Sequence, residues 1–293
     1  MFDPIVKLLG HDLRSTLAAD AIAHGLGCGE PEVEPVTEAD LVGLPKAARR
    51  YLRFMGVVGR PRDRSFRARF RGRFRMRPGQ GFMPFDAWQY NTRFPVARLF
   101  HMRVDFAGLV PMVGRDAYLG GLGRMRGKLL GLLPVADGSG VEFDVSELAT
   151  WLDDAIILSP SMLLDPATTW SEIDDDAFAV AFTDIGLRVE ARVLVDRRGA
   201  PLVFSTTDRY AALPSGPLRA EWTTPVARWD VVAGRQLPGP SAAIWHLPEG
   251  PFTYVEGAVV SSSVEYDVAP DGTPLTTREH VADVLTLSGR TAS

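Results

Sequence analysis

The sequence predicts a mostly β protein of the α+β class: one large curved antiparallel sheet, N-terminal helices, and a helical insertion across the concave face of the sheet. Three observations predict this fold. They are a strictly alternating segment, a series of turn signals, and one helical pattern between two groups of strands. With 293 residues, 46% of them hydrophobic, the chain is long enough to bury a large core.

The alternating segment is the clearest strand. Residues 67–77 read RARFRGRFRMR, with arginine at every odd position. Because successive side chains of a strand point to opposite faces, one face would be solvated and the other would present Phe70 and Phe74 to a core. The arginines are Arg67, Arg69, Arg71, Arg73, Arg75 and Arg77.

Turn signals rich in Gly, Pro and Asp recur from residue 65 onward, and the segments between them alternate or are rich in β-forming residues. Because short connections join antiparallel neighbours, we expect a meander with too many strands to stay flat, curled into a half-barrel or barrel. After the alternating strand, the predicted strands are 82–90, 96–106, 113–119, 124–133, 178–183, 187–195, 202–210, 218–232, 242–246 and 252–268.

Helices are predicted before the strands. Residues 2–26 have helical apolar periodicity, Thr37 is a candidate N-cap for a short turn, and residues 46–55 follow Pro45 with an apolar side. Three regions are therefore expected: an N-terminal helix and linker at 1–36, one helix-plus-half-barrel domain at 37–268, and a C-terminal tail at 269–293.

One helical pattern interrupts the strands. Ser146 is a candidate N-cap, apolar residues recur at helical spacing from Leu148 to Ile156, and Pro160 should end the helix. A short turn at 161–164 continues the apolar character. A helix with a broad apolar stripe, inserted midway along a one-sided sheet, is expected to cross the concave face.

Charge is unevenly distributed along the chain. The net charge is −4, but residues 46–77 carry +12 and the remainder −16. The arginine face could dock on an anionic surface, or its arginines could pair with acids on neighbouring strands. Nucleic acid is not expected, because the chain is acidic overall and the phenylalanines point away from the arginines.

Several classes of site have no support in the sequence. Cys28 is the only cysteine, which excludes an intramolecular disulfide, and no histidine pair has metal-ligand spacing, so neither a metal nor a cofactor is expected. We also expect a cytoplasmic protein, since the sequence shows no signal peptide and no apolar run long enough to span a membrane.

Several short runs of the sequence form a recognisable set. They are LP at 44–45, RYLR at 50–53, RDAY at 115–118, LGLLPVAD at 130–137, WLDD at 151–154 and WHLPEGPF at 245–252. Together they resemble a large bacterial family known only as a domain of unknown function. This resemblance covers residues 44–268 and implies a curved antiparallel sheet with helices in its mouth, similar to the bacterial lipoprotein-carrier half-barrels (LolA/LppX-like) that hold acyl chains. It implies no catalytic residues.

Candidate catalytic residues lie on two neighbouring predicted strands. His101 and Asp105 share one face of strand 96–106, and Asp116 and Tyr118 share a face of the next strand. If these polar faces met, they would offer a general base and a phenol for proton transfer. The alternative is that the first pair is solvent-facing and that Asp116 is a buried structural carboxylate.

Apolar residues from several strands and both helical pieces could instead line a pocket. We therefore predict binding of a hydrophobic small molecule or acyl chain. Two alternatives stay open: an isomerase or cyclase acting on an apolar metabolite through Asp116 and Tyr118, and an interaction protein that docks through the arginine face. The predicted ligand-binding residues are Phe70, Phe74, Trp88, Met125, Trp151, Ile156 and Met162.

Overall fold

The computed structural model describes residues 12–27, 29–106, 110–129, 133–213 and 216–276. The α-helices of this part of the chain are α1 (Leu13–Ala23), α2 (Lys46–Phe54) and α3 (Val141–Leu158), and short 3-10 helices cover Glu38–Leu41, Pro160–Leu163 and Ser261–Ser263.

The described strands are antiparallel throughout. They are β1 (Ser65–Phe74), β2 (Met83–Thr92), β3 (Ala97–Phe106), β4 (Val110–Leu119), β5 (Leu122–Leu129), β6 (Leu133–Ser139), β7 (Thr168–Asp174), β8 (Ala177–Asp184), β9 (Leu187–Val195), β10 (Pro201–Thr206), β11 (Tyr210–Leu213), β12 (Gly216–Arg219), β13 (Glu221–Pro225), β14 (Trp229–Val232), β15 (Arg235–Pro238), β16 (Ser241–Leu247), β17 (Gly250–Val259) and β18 (Glu265–Tyr266).

One 14-stranded sheet dominates the fold. Its order is β6-β5-β4-β3-β2-β1-β17-β16-β13-β10-β9-β8-β7, with β18 also paired to β1. The chain starts near the middle, meanders outward to β6, resumes at the opposite edge with β7 and returns until β17 pairs with β1. The sheet is curved but not closed, so the half-barrel prediction is confirmed and the closed-barrel alternative is wrong.

The connection between the two edges positions α3. Strands β6 and β7 lie at opposite edges, so the chain that joins them must cross a face of the sheet, and α3 with the following 3-10 turn makes this crossing. Helix α3 contacts strands of both meanders, among them β5, β4 and β9. The predicted helix across the concave face is therefore present.

The alternating strand has the orientation that the sequence predicts. Phe66 and Ala68 of β1 are buried in the core on the concave face, while the arginines lie on the convex face. There Arg69 Nε donates to Asp86 at 2.7 Å and Arg73 Nε donates to Glu256 at 2.7 Å. Arg67 pairs with Glu265. Most of this face is thus neutralised by acids of neighbouring strands.

The core beneath α3 is filled with aromatic and aliphatic side chains. Trp151 is fully buried and stacks on Phe182 with ring centroids 4.6 Å apart. Its indole Nε1 donates to the Thr92 carbonyl at 3.1 Å. From the other side, the hydroxyl of Tyr51 on α2 donates to the Ile156 carbonyl at 2.7 Å. Aromatic burial and satisfied polar atoms together fix the helix.

Helix α1 packs on the convex face. Its Leu17 and Ala21 are fully buried against residues of β2 to β4. Asp20 accepts hydrogen bonds from His101 Nε2 at 2.8 Å and Arg115 Nε at 2.6 Å. Burial would raise the pKa of Asp20, but these two donors outweigh it and lower the pKa far below its usual value.

Several predicted boundaries differ from the structure. Helix α3 begins at Val141, so the predicted N-cap Ser146 lies inside the helix. The Ser146 hydroxyl donates to the Glu142 carbonyl at 2.6 Å. The predicted strand 124–133 lies partly in β5 and partly in β6, and residues 218–232 contain three strands rather than one. Residues 2–11 of the predicted N-terminal helix lie outside the described part of the chain.

We expect Trp151→Ala to lower the free energy of unfolding by about 3–5 kcal/mol, because it removes a fully buried aromatic ring and leaves a cavity. Urea denaturation followed by circular dichroism measures this. Val231→Ala is the control: Val231 is 68% exposed, and its truncation should change stability by less than about 0.5 kcal/mol. A loss below about 1 kcal/mol for Trp151→Ala would contradict this account of the core.

Candidate functional site

The concave face has a second apolar region beside the core beneath α3. We call it the apolar groove. Its buried members pack against partly exposed aromatic and aliphatic side chains of the same face. The groove consists of Phe70, Phe74, Met83, Phe85, Phe100, Met102, Val104, Met112, Leu129 and Val255.

Strand register explains why these residues meet. Phe70 of β1 lies opposite Ala87 of β2, which lies opposite Met102 of β3, which lies opposite Gly114 of β4. Directly paired residues share a face of the sheet, so apolar side chains form rows across it. At Gly114 the row has no side chain, and a Cβ added there would lie 3.6 Å from Met102 Cε, an ordinary contact distance.

Charged residues lie where α3 meets the sheet. We call them the interior charge cluster: Arg98, Asp116, Glu147, Asp153, Asp154 and Arg209. Arg98 is almost fully buried; its Nε donates to Asp154 at 2.7 Å and its Nη1 donates to Glu147 at 3.0 Å. Burial alone would lower the pKa of Arg98, but the two carboxylates raise it above its usual value.

A close contact between α3 and β5 holds the acidic face of the helix in place. A Cβ on Gly123 would lie 2.1 Å from the Phe143 carbonyl oxygen, so only glycine fits there. The Gly123 backbone N–H donates to Asp144 Oδ1 at 2.7 Å. The first turn of α3 is thereby fixed against the sheet, and Glu147 follows within hydrogen-bonding reach of Arg98.

Two acids of the helix hold protons near neutral pH. Burial raises the pKa of Glu147 to about 7, despite the opposing charge of Arg98. Burial and the neighbouring Asp154 raise the pKa of Asp153 to about 8, and its Oδ1 accepts a hydrogen bond from the Thr224 hydroxyl at 2.7 Å. Burial in an interior of low dielectric constant and a neighbouring negative charge each disfavour the ionised form of a carboxyl group.

Asp116 joins the interior charge cluster to the groove. It lies opposite Phe100 of β3 and Met125 of β5. Burial raises its pKa, and Arg98 and Arg209 oppose this shift. Its side chain forms no hydrogen bond with any residue that the structure describes. Its carboxyl group is therefore available to a ligand on the concave face.

Arg209 lies on an aromatic platform. Its guanidinium carbon is 4.0 Å from the centroid of the Trp222 ring and 5.3 Å from that of Trp245. A β-bulge in β17 supplies the next contact: residues 243 and 244 face 255 and 253, so Tyr254 is the additional residue. Its hydroxyl accepts from Arg209 Nη1 at 3.5 Å and from Trp222 Nε1 at 3.2 Å.

The predicted catalytic residues do not form one site. His101 pairs with Arg115 and Phe100 with Asp116, so His101 and Asp105 lie on the convex face while Asp116 and Tyr118 lie on the concave face. His101 binds Asp20 of α1. The Tyr118 hydroxyl donates to Asp184 Oδ2 at 2.8 Å, and burial raises its pKa above the usual value. The condition that the two polar faces meet is therefore not fulfilled.

The predicted ligand-binding residues divide into three groups. Phe70 and Phe74 belong to the apolar groove, and Met125 lies beside Asp116 on the same face. Trp88 is on the convex face, where Arg14 of α1 lies over its ring. The other three belong to α3 and the 3-10 turn after it and are completely or almost completely buried in the core: Trp151, Ile156 and Met162.

Sequence reasoning missed most of the interior charge cluster. A signal was present for Asp153 and Asp154: adjacent acids within an otherwise apolar helix that crosses a sheet will be buried and need partners. Arg98 also carried a signal: alternation places it on the face of Phe100 and Met102 in the predicted strand 96–106, and a charge on an apolar face needs a partner. Arg209 lies in the connection between β10 and β11, so strand alternation does not predict its direction.

Other surface features do not add to this site. A groove of about 470 Å³ on the convex side of β8 to β10 is lined by charged residues, among them Arg188 and Glu190, which pair at 2.9 Å. In the described ranges no cluster of His, Cys, Asp and Glu side chains could hold a metal ion. Among the helices of those ranges, none is long and apolar enough to cross a membrane.

Residues 34–257 match the model of DUF6544, a family of unknown function. This match covers most of the chain, and the protein therefore belongs to that family. The resemblance noted in the sequence is confirmed. No curated protein matches the chain.

The solved structures that match this chain share little sequence with it. A putative outer membrane lipoprotein-sorting protein domain from Vibrio parahaemolyticus is 12% identical, with a TM-score of 0.34 over 75% of this chain and 91% of that one. A DUF1329 family protein from Desulfovibrio piger is 11% identical, with a TM-score of 0.40 over 80% and 95%. A LolA superfamily protein from Nitrosomonas europaea is 11% identical, with a TM-score of 0.30 over 75% and 90%.

We expect Asp153→Asn to stabilise the protein progressively, relative to wild type, as pH rises. An unfolded aspartate has a pKa of about 3.9, so the folded state keeps a proton on Asp153 that the unfolded chain has released. The free energy of unfolding of the wild type should therefore fall between about pH 4 and about pH 8, because folding must keep a proton on Asp153. Asparagine does not titrate, so the variant should not show this decrease.

Urea denaturation at pH 5 and pH 8.5 measures the effect. The gain of Asp153→Asn over wild type should be larger at pH 8.5 by more than about 1 kcal/mol, since one pKa unit corresponds to about 1.4 kcal/mol. Glu249→Gln, at an exposed position, is the control and should follow wild type at both pH values. Parallel curves for Asp153→Asn and wild type would contradict a protonated Asp153.

Proposed function

We propose that the protein binds a hydrophobic small molecule or a single acyl chain in the apolar groove. The observation that carries this proposal is the division of the concave face: α3 fills one part, while the groove contains aromatic, methionine and aliphatic side chains that are partly exposed. Concave apolar surface beside a few convergent polar groups is the usual composition of a small-molecule site.

Burial supports the same assignment. Met83, Phe85 and Met112 are each less than a tenth exposed, yet Phe70, Phe100 and Met102 of the same cluster remain partly accessible. Methionine side chains adapt to ligands of different shape, which suits a binding surface for flexible chains. An acyl chain lying on this face would remove the remaining apolar area from water.

A second candidate is an acid–base enzyme that acts on an apolar metabolite. The carboxyl of Asp116, with its raised pKa and no hydrogen bond to a described residue, favours it, because such groups concentrate at catalytic sites. Asp116→Asn distinguishes the two functions. A binding protein should keep its affinity for an apolar probe within about threefold, whereas an enzyme should lose turnover of its substrate.

Docking on an anionic surface through the arginine face is the weaker proposal. The arginines of β1 are mostly engaged: Arg69 and Arg71 both lie by Asp86, Arg73 by Glu256, and Arg75 Nε donates to the Thr253 carbonyl at 2.6 Å. Charges already paired across strands attract a membrane or an acidic partner less than free ones.

We expect Met102→Asp to weaken binding of the neutral fluorescent probe N-phenyl-1-naphthylamine by at least about tenfold, because it places a charge in the middle of the apolar groove. Fluorescence titration measures the dissociation constant. Val231→Asp is the matched control, since it adds the same charge at a position 68% exposed in the β14–β15 hairpin.

Circular dichroism establishes that Met102→Asp is folded before its titration is interpreted. Phe74→Asp provides a second test at the border of the groove, where the side chain is already partly exposed. Unchanged probe affinity in both folded variants, or no binding by wild type, would overturn the proposed function.

A further inference from the structure

Arg209 is a cation with unused donors at the edge of the apolar groove. Its Nε is buried without a hydrogen-bond partner, and the one hydrogen bond of its guanidinium to a described residue is the 3.5 Å contact with Tyr254. A guanidinium has five N–H donors. The buried Nε–H is costly to leave unpaired, and the terminal nitrogens of this half-buried side chain can donate to a bound molecule. An acceptor bound there would satisfy them.

The three acids of α3 in the interior charge cluster have partners other than Arg209. Asp154 and Glu147 bind Arg98, and Asp153 accepts from Thr224. Arg209 forms no ion pair with any residue in the described part of the chain, although it lowers the pKa of Asp116 through space. The raised pKa values of Glu147 and Asp153 also leave these acids partly protonated, so they do not fully balance Arg209.

The contacts of Arg209 connect it to the groove. The Tyr254 ring, whose hydroxyl faces Arg209, meets the Phe74 ring edge to face at 6.3 Å, and Phe74 is a groove residue. On the other side, the Tyr210 backbone N–H donates to Ser146 Oγ at 3.0 Å and fixes this segment to α3. These contacts hold the guanidinium in place. Tyr254 lies between it and Phe74, the first side chain of the apolar groove.

We propose that Arg209 binds the carboxylate of a single-chain amphiphile whose hydrocarbon chain lies in the apolar groove. This inference rests on the proposed function and names its ligand class. The planar guanidinium matches a carboxylate with two parallel hydrogen bonds, and the platform of Trp222 and Trp245 keeps it oriented. Arg209 can neutralise one negative charge, and the acids near it would repel a second. The site therefore favours a monoanion over a dianionic phosphate.

Displacement of N-phenyl-1-naphthylamine by three ligands of equal chain length tests this. They are dodecanoic acid, dodecan-1-ol and dodecylamine, each added below its critical micelle concentration. Wild type should bind the acid at least about tenfold more tightly than the alcohol, and the amine no better than the alcohol. Equal binding of acid and alcohol, or preference for the amine, would overturn the carboxylate assignment while leaving the hydrophobic site intact.

Arg209→Met keeps much of the length of the side chain but removes the charge. It should reduce affinity for the acid by about tenfold or more and change affinity for the alcohol by less than about threefold. Arg192→Met, at an exposed position of β9 on the convex face, is the control and should alter neither. Unchanged acid affinity in folded Arg209→Met would overturn the assignment.

Arg209→Lys covers the case in which the methionine variant does not fold. Lysine keeps the charge but lacks the planar fork, so acid affinity should fall without disappearing, and the alcohol should bind as in wild type. If Arg209→Lys binds the acid no more weakly than wild type, the bidentate contact is wrong. If no ligand and no probe binds wild type, the proposed function itself has failed.

Discussion

Helix α3 lies in the concave face of the sheet because its acids find partners there. A helix that carries Glu147, Asp153 and Asp154 on buried positions would be expelled by the cost of desolvating three carboxyl groups. Arg98 offsets two of them, and the Thr224 hydroxyl binds the third. The path of the chain from one sheet edge to the other therefore depends on an arginine from the first meander and a threonine from the second.

This constraint also determines where the apolar groove lies. Fixing α3 by its polar face against β3 and its first turn against Gly123 of β5 confines the helix to one part of the concave face, and Phe70, Phe100 and Met102 stay partly exposed. The same charges that position the helix then border the open apolar surface. The polar contacts that fix α3 and the proposed binding site therefore lie side by side on the concave face.

The fold was largely predictable from the sequence, and the site largely was not. The alternation of residues 67–77 predicts both the strand and its orientation, and the apolar stripe of α3 predicts its place on the concave face. Neither pattern reveals the register between neighbouring strands. That register places His101 and Asp116 on opposite faces of the sheet. Trp88 shows the same limit: an aromatic on an alternating strand is apolar on either face, and here α1 covers it.

The two groups of arginines show why position decides the chemistry of a charged residue. On the convex face, most arginines of β1 form ion pairs with acids of neighbouring strands, and water screens what remains of their charge. Arg209 has aromatic rings on one side and partly protonated acids at a distance, and it forms no ion pair with a described residue. The most conspicuous charged segment of the sequence is therefore mostly paired with acids, whereas a single arginine in an inconspicuous connection keeps unpaired donors, which is why we assign it the head group of the proposed ligand.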